Sequence, residues 1–524
     1  MIELCVLLAA TTTPTLAQQA TSLAAVSSVV FPPGRRVEDA LTIDIDGDGV
    51  SDLVVATSHG GGRTLSVHLR RAQGAAFASL PEASLELTPD VVCFAAADVH
   101  GDLGREIVLF NSGGAFAWRW RAADEGERIQ KLFNCDLVWQ WPDRKRAFAW
   151  QAAVSDLDGD GLDDLAVPEP QRYRLAFQRR GEGGARAFVA IQELAPGDAQ
   201  SNARALDLER TAEVRQSGAP RRTNFSVTGG GFQVDAGEGT TGPYLWIQDS
   251  VPCAQFVDFD GDGLRDALFL TNDALEVFVQ KPAGTFAASA LRLKSPVTMD
   301  RARELDVSYL ADALDLDDDR RVDVVMSAGD KRSKDVRTQV LVFLAGKVKA
   351  GESPLFGRDG IPTQLLVLDG FARPLGLDDV DGDGRTDLVM GAVRPDLIDG
   401  LRAAASERID AELYVFKNTG TGFSKRPDLV HKISIQAGDL DLTARFLGDV
   451  TGDGVAELFQ RADRNALRVH LVRRTKDGLS VIDKPIYEMP LDNDARLMLP
   501  KHLGPGSWDI FALEKEAVRC ASFR

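Results

Sequence analysis

The chain has 524 residues, 44% of them hydrophobic and 26% charged, a globular composition that excludes a disordered or low-complexity chain. Its formal net charge of −18 disfavours nucleic acid or an anionic membrane as a bulk partner. No stretch approaches the ~20 consecutive apolar residues that a membrane-spanning helix needs.

The first residues, Met1 to Ala10, form a short apolar run, and Thr15-Leu16-Ala17 follows with small residues where a signal peptidase reads. Residues 1–17 therefore read as a signal peptide, although Glu3 is present and no Lys or Arg leads the run. The expected location is secreted, periplasmic or cell-surface. Next comes Val26-Ser-Ser-Val-Val-Phe31, a strand pattern without a local partner.

From Asp44 the chain repeats one acidic loop seven times, with carboxylates or a substitute at positions 1, 3, 5 and 9 and usually Gly at 6. The first holds Asp44, Asp46, Asp48 and Asp52. The second holds Asp98, Asp102 and Glu106, with His100 at position 3. The third holds Asp156, Asp158, Asp160 and Asp164, and the fourth Asp258, Asp260, Asp262 and Asp266. The fifth holds Asp315, Asp317, Asp319 and Asp323, with Arg320 in place of Gly. The sixth holds Asp379, Asp381, Asp383 and Asp387, and the seventh Asp449, Asp453 and Glu457, with Thr451 at position 3. Oxygen ligands at every second residue followed by a sharp turn suit a Ca2+ ion of six to eight ligands. Up to seven Ca2+ sites are expected, the first, third, fourth and sixth being the most complete. An EF-hand begins alike but needs Glu at position 12 and flanking helices. Seven ions would reduce the formal charge of −18 to about −4, so the acidity belongs to the metal-free state.

The first aspartates stand at 44, 98, 156, 258, 315, 379 and 449, a blade-sized spacing with insertions. Short apolar runs flank each loop, such as Leu41–Ile43 before the first, Ala152–Val154 before the third and Leu53–Ala56 after the first, so each loop turns a β-hairpin, A–B. A second pattern follows: an alternating strand, a Gly turn and an aromatic. Leu65–Leu69 with Gly74 and Phe77 shows it, as does Leu275–Val279 with Gly284 and Phe286. These are strands C and D, and four-stranded antiparallel units arranged radially make a β-propeller. An eighth unit without metal residues follows, with strands at 495–499, 508–513 and 517–523, and it lacks a strand D. Val26–Phe31 supplies one and hides both open edges. Eight blades are favoured over seven, with residues 25–524 as a single propeller. Residues 197–245 and 392–411 read as insertions, the second with a short helix. Cys93, Cys135, Cys253 and Cys520 lack CxxC spacing and read as buried free thiols.

The loops and strand signatures resemble FG-GAP/VCBS repeats, the units of the integrin α-chain propeller and of many secreted bacterial proteins. Gly370-Phe371 and Met390-Gly391-Ala392, around the sixth loop, come closest to the name-giving motif without its final Pro. The resemblance implies a propeller with Ca2+ in the A–B loops and a role in cell adhesion or ligand binding. It does not imply one activity. In such a meander the A–B and C–D turns share one face, and the long insertions crowd the other. That face carries Arg215, Arg221, Arg222, Lys331, Arg332, Lys334, Arg337, Arg394 and Arg402, so a protein or carbohydrate ligand is expected opposite the Ca2+ loops. Some Ca2+-dependent polysaccharide lyases are similar propellers, which keeps an enzyme as the alternative. None of the six histidines lies in a recognisable catalytic motif, and His59, in the Gly-rich Ser58–Gly62 loop, is the one worth testing. A chaperone or assembly role is a third possibility.

Overall fold

Strand B of each repeat shows why the chain folds as it does. In the first unit Asp52–His59 pairs antiparallel with Arg36–Ile43 on one side and Gly62–His68 on the other. Leu53, Val54, Val55 and Ala56 are all buried, so the strand is covered on both faces and reads as an unbroken apolar run. Ala83–Leu87 completes the blade. Outer strands instead alternate: in Gln364–Asp369, Leu366 and Leu368 are buried while Leu365 and Val367 are exposed.

The computed structural model describes residues 24–101, 103–111, 113–122, 128–137, 147–169, 172–181, 184–196, 224–229, 247–252, 254–270, 274–282, 284–294, 305–330, 337–346, 361–393, 408–436, 444–446, 448–462, 465–492, 495–504 and 507–523. They form eight blades of four antiparallel strands. After blade one come blade two (Cys93–Ala97, Glu106–Asn111, Gly114–Trp118, Ile129–Phe133) and blade three (Val154–Ser155, Asp164–Glu169, Arg172–Arg180, Arg186–Leu194). Blade four is Ala254–Val257, Asp266–Leu270, Ala274–Phe278 and Leu291–Lys294; blade five is Leu305–Leu314, Asp323–Asp330, Arg337–Phe343 and Gln364–Asp369. Blade six is Phe371–Asp378, Asp387–Val393, Arg408–Phe416 and Leu429–Gln436; blade seven is Ala444–Phe446, Leu458–Ala462, Ala466–His470 and Tyr487–Pro490. Blade eight joins Arg496–Gly504, Ser507–Leu513 and Ala517–Phe523 to the N-terminal strand Ala24–Val30, which runs antiparallel to 517–523 from Ala24 opposite Phe523 to Val30 opposite Ala517. The ring therefore closes three-plus-one, and eight blades replace the seven-blade alternative.

The core lies in the seams between blades. One apolar cluster joins blades one and two, a second runs through blades two, three and four, others join each later pair, and the last packs Val29, Phe511 and Val518 of blade eight against Val37, Leu53 and Val55 of blade one. A buried ion pair between Arg70 and Asp509 reinforces that final seam.

One local expectation is corrected. The strand expected at Ala152–Val154 is a 3-10 turn over Gln151–Ala153, with the strand confined to Val154–Ser155. Gln151 explains the shift: its side-chain amide bonds both backbone groups of Ala96, at 2.9 and 2.8 Å, occupying the place of a ladder. Just before it, Phe148–Ala149 pairs parallel with Cys93–Phe94 as a fifth strand of blade two. Within 197–245, Asn224–Gly229 pairs with Ile247–Pro252 as a two-stranded sheet. Residues 1–17 lie outside the described residues, as does the stretch Arg394 to Asp410 expected to hold a short helix, except for its last three residues, which are strand in Arg408–Phe416. No helix among the described residues is long and apolar enough to cross a membrane. Cys93, Cys135 and Cys520 are free and buried, and burial pushes the Cys135 and Cys520 thiols up to about 12.

Candidate metal centres in the A–B loops

Each loop is built from its first aspartate outward. Asp44 accepts the N–H of Gly47 at 2.7 Å and of Gly49 at 2.9 Å. Asp156 does the same for Gly159 and Gly161, and Asp449 for Gly452 and Gly454. Asp48 then caps Val50, as Asp160 caps Leu162 and Asp262 caps Leu264. The chain can wrap in this way because positions 4 and 6 both take positive φ, 79° at Gly47 and 84° at Gly49. The glycine at position 4 was not singled out from the sequence. In the fifth loop Asp318 and Arg320 hold the same conformation, at 61° and 68°, and the Arg320 N–H still bonds Asp315 at 2.6 Å. The turn thus survives without either glycine, at a cost in local strain.

Position 9 does different work. One oxygen of Asp52 accepts the N–H of Ile45 at 3.1 Å and the other that of Arg70 at 2.7 Å. Asp164 brackets Leu157 and Gln178, Asp266 brackets Phe259 and Gln280, Asp323 brackets Leu316 and Ala345, and Asp387 brackets Val380 and Asn418. Glu106 and Glu457 keep the first half of the bracket, to Val99 and Val450. The buried carboxylate therefore ties the A–B loop to the end of strand C. Burial, reinforced by the carboxylates around it, raises Asp52 and Asp266 to about 6 and Asp164, Asp323, Asp387 and Glu457 to about 7, against the pull of those N–H bonds.

The residue whose N–H completes the bracket also reaches into the preceding blade. Gln178 donates to the Asp98 carbonyl at 3.0 Å, Gln280 to that of Leu157 at 2.6 Å, and Asn418 to that of Leu316 at 2.9 Å. Arg70, at the same place in blade one, meets Asp509 and Ser522 of blade eight. A–B loops and C–D turns thus share one face. A second latch joins strand D to the next C–D turn: the Gln192 amide bonds both backbone groups of Phe286, and Gln364 both those of Phe423. The Gly–aromatic pattern was visible in the sequence; its glutamine partners were not.

The structure gathers the expected ligands. Ligand oxygens of Asp44, Asp46 and Asp48 lie within 4.8 Å of one another, as do those of Asp156, Asp158 and Asp164, of Asp258, Asp260 and Asp262, of Asp315, Asp317 and Asp323, and of Asp379, Asp381 and Asp387. Asp102 lies outside the described residues. The fit to a hard cation rests on two orphaned atoms: Oδ1 of Asp158 and Oδ1 of Asp317, both at position 3, are buried without a hydrogen-bond partner. Oxygens at such spacing match opposite ligands of a Ca2+ ion bound at about 2.4 Å. Loops differ in how far side chains already balance them. Arg179 lies 2.6 Å from Asp158, Lys417 pairs with Asp381 and Asp383, and Arg121 lies 3.3 Å from Asp46. In the second loop His100 Nδ1 lies 3.3 Å from Glu106, and Arg186 lies 2.7 Å from Asp98 and supplies that loop with a cation of its own. Among the described residues no cation pairs with the carboxylates of the fourth, fifth and seventh loops, and the fourth and fifth, with four carboxylates each, carry the most uncompensated negative charge.

Residues 148–187, spanning the third loop and its flanking strands, match the family model of the FG-GAP repeat. The third blade therefore carries an FG-GAP repeat within an eight-bladed β-propeller. The match falls on the third unit, whereas Gly370-Phe371 had pointed to the sixth. Among solved structures, the propeller is similar to one titled for recognition of non-reducing terminal N-acetylglucosamine by an Agrocybe aegerita lectin. That likeness has 15% identity, covers 90% of this chain and 94% of the other, and has a TM-score of 0.38; it carries no argument about ligand. A search of curated proteins found no match.

On the opposite face the propeller exposes His59 at the Gly60–Gly61 turn, opposite Gly62. Arg337 is exposed and lies 3.5 Å from Asp369. Arg215, Arg221, Arg222, Lys331, Arg332, Lys334, Arg394 and Arg402 lie outside the described residues. Residues 344–363 separate strands C and D of blade five, so not every long connection is a B–C or D–A one.

Proposed function

We propose that this propeller is a secreted or surface-attached, calcium-stabilised module that binds or adheres to a carbohydrate or protein ligand without catalysing a reaction on it. The supporting observation is the role of the acidic loops. Their position-9 carboxylates are spent on backbone brackets, their first aspartates on turn amides, and buried oxygens at Asp158 and Asp317 await a cation. Such loops are staples, each holding one blade's turn. Asp44, Asp46, Asp48 and Asp52, with their counterparts in the other loops, would hold Ca2+, which would supply charge balance and rigidity. Ligand recognition is left to the face where B–C and D–A connections break the repeat.

The test is a glycan array probed in Ca2+ and in EDTA, alongside pull-down against surface proteins, followed by a cleavage assay on any hit. Binding that leaves the ligand intact supports the module. Release of an unsaturated, ultraviolet-absorbing sugar product overturns it in favour of a polysaccharide lyase.

A further inference from the structure

Every carboxylate oxygen of the sixth loop accepts a donor from this chain. Asp379 takes the N–H groups of Asp383 at 3.1 Å and of Gly384 at 2.9 Å, and Asp387 takes those of Val380 and Asn418. Oδ1 of Asp381 accepts the Asp383 N–H at 3.2 Å, and Oδ1 of Asp383 the Arg385 N–H at 2.9 Å. The two oxygens left over, Oδ2 of Asp381 and Oδ2 of Asp383, both meet the Lys417 ammonium, the second at 3.0 Å. The third loop differs. Arg179 lies against Asp158 and Asp160 there, but Oδ1 of Asp158 keeps no partner. In the fifth loop Oδ1 of Asp317 is orphaned as well.

Blade six departs from the repeat at Lys417 itself. This residue stands immediately before Asn418, whose N–H completes the Asp387 bracket. In the corresponding place the first, third, fourth and fifth units have Leu69, Phe177, Val279 and Leu344. An apolar side chain therefore suffices for packing there, and blade six alone among these five uses a cation. Its backbone is fixed, since the Lys417 N–H bonds Asp428 at 3.0 Å. From blade seven, Arg474 donates to the Asp381 carbonyl and adds a second positive group beside position 3.

We propose that Lys417 is the resident cation of the sixth loop, its ammonium bridging positions 3 and 5 so that Ca2+ enters only by displacing it. The inference rests on the calcium reading only for the ion that Lys417 opposes. An ammonium is a compact charge with three donors, and carboxylates this close repel one another when nothing balances them. The bridge satisfies the two oxygens that the turn amides leave over. Blade six thus keeps its turn closed where Ca2+ is scarce, whereas the fourth and fifth loops depend on the ion.

The full-length protein, Lys417→Met and Lys425→Met are compared by calorimetric titration with Ca2+ and by melting in EDTA. Lys425 is exposed on the same C–D connection, so its variant makes the same charge change away from the loop. Methionine keeps the length of the stem, and the apolar residues of the other blades show that the position accepts it. Lys417→Met should bind about one more Ca2+ per chain and melt lower in EDTA, with the loss recovered in millimolar Ca2+. Lys425→Met should match the unchanged protein in both. An unchanged melting temperature for Lys417→Met in EDTA overturns the bridge, as does Ca2+ binding that this variant neither increases nor tightens. If none of the proteins binds Ca2+, the calcium reading fails, and melting in EDTA alone still decides the role of Lys417.

Discussion

At the scale of single residues, the acidic loops contain two kinds of carboxylate. Position 9 is a backbone bracket with or without a cation, whereas position 5 is exposed and caps a single amide. Asp164→Ala would strand the N–H groups of Leu157 and Gln178, a loss of about 1–3 kcal/mol for each buried donor left unpaired. Denaturant melts in EDTA should show that loss, while Asp160→Ala should cost little in EDTA and lower only the stabilisation gained from Ca2+. Equal effects of the two in EDTA would contradict the division. The same carboxylates set a pH dependence. Folded values near 6 to 7 at Asp52, Asp164, Asp266, Asp323, Asp387 and Glu457 lie above the ordinary carboxylate range. Their contribution to stability is therefore present in full below about pH 4 and lost as pH rises through 6 to 7. In EDTA the melting temperature should be higher at pH 5 than at pH 8; Ca2+, which needs ionised ligands, should narrow or reverse the difference.

At the scale of elements, the latches between blades explain why a ring of short strands is stable. Gln192 and Gln364 each spend a whole amide on the next blade's Phe. Gln192→Leu and Gln364→Leu should each destabilise by about 1–3 kcal/mol, since each leaves a buried backbone N–H and carbonyl unpaired. They sit in different seams, so their effects should add, measured by denaturant unfolding of the single and double variants. This layer was the least legible in the sequence. The strands and hairpins were readable because Leu53–Ala56 or Val324–Met326 show their burial as apolar runs, and the Asp loops show their turns as glycines. A glutamine such as Gln192 looks like any surface polar residue until the neighbouring blade is in place. The same holds for the position-9 bracket, whose second half depends on a residue 14 to 31 positions later, as in Asp164 with Gln178 and Asp387 with Asn418. Ala152–Val154 was misread as a strand for the same reason, because Gln151 makes its bonds to blade two.

At the scale of the whole molecule, closure depends on one strand and one ion pair. Ala24–Val30 covers the edge of Ala517–Phe523, so deleting residues 1–31 should expose that edge and shift the protein to larger, aggregated species in size-exclusion chromatography. Arg70→Met would leave Asp509 buried and unpaired, at a cost of about 3–5 kcal/mol. The double variant Arg70→Met with Asp509→Leu should recover most of it, again by denaturant unfolding. The central claim is that the acidic loops staple the ring by holding Ca2+. Extracellular Ca2+ modules bind at ~10⁻⁴–10⁻³ M, and four or more such sites stabilise by mass action in millimolar Ca2+. The most direct measurement is calorimetric unfolding at pH 7.5 in EDTA and in millimolar Ca2+. The account predicts a rise in melting temperature with Ca2+ that shrinks when the fourth loop carries Asp258→Ala and Asp260→Ala; identical unfolding in the two buffers would contradict it.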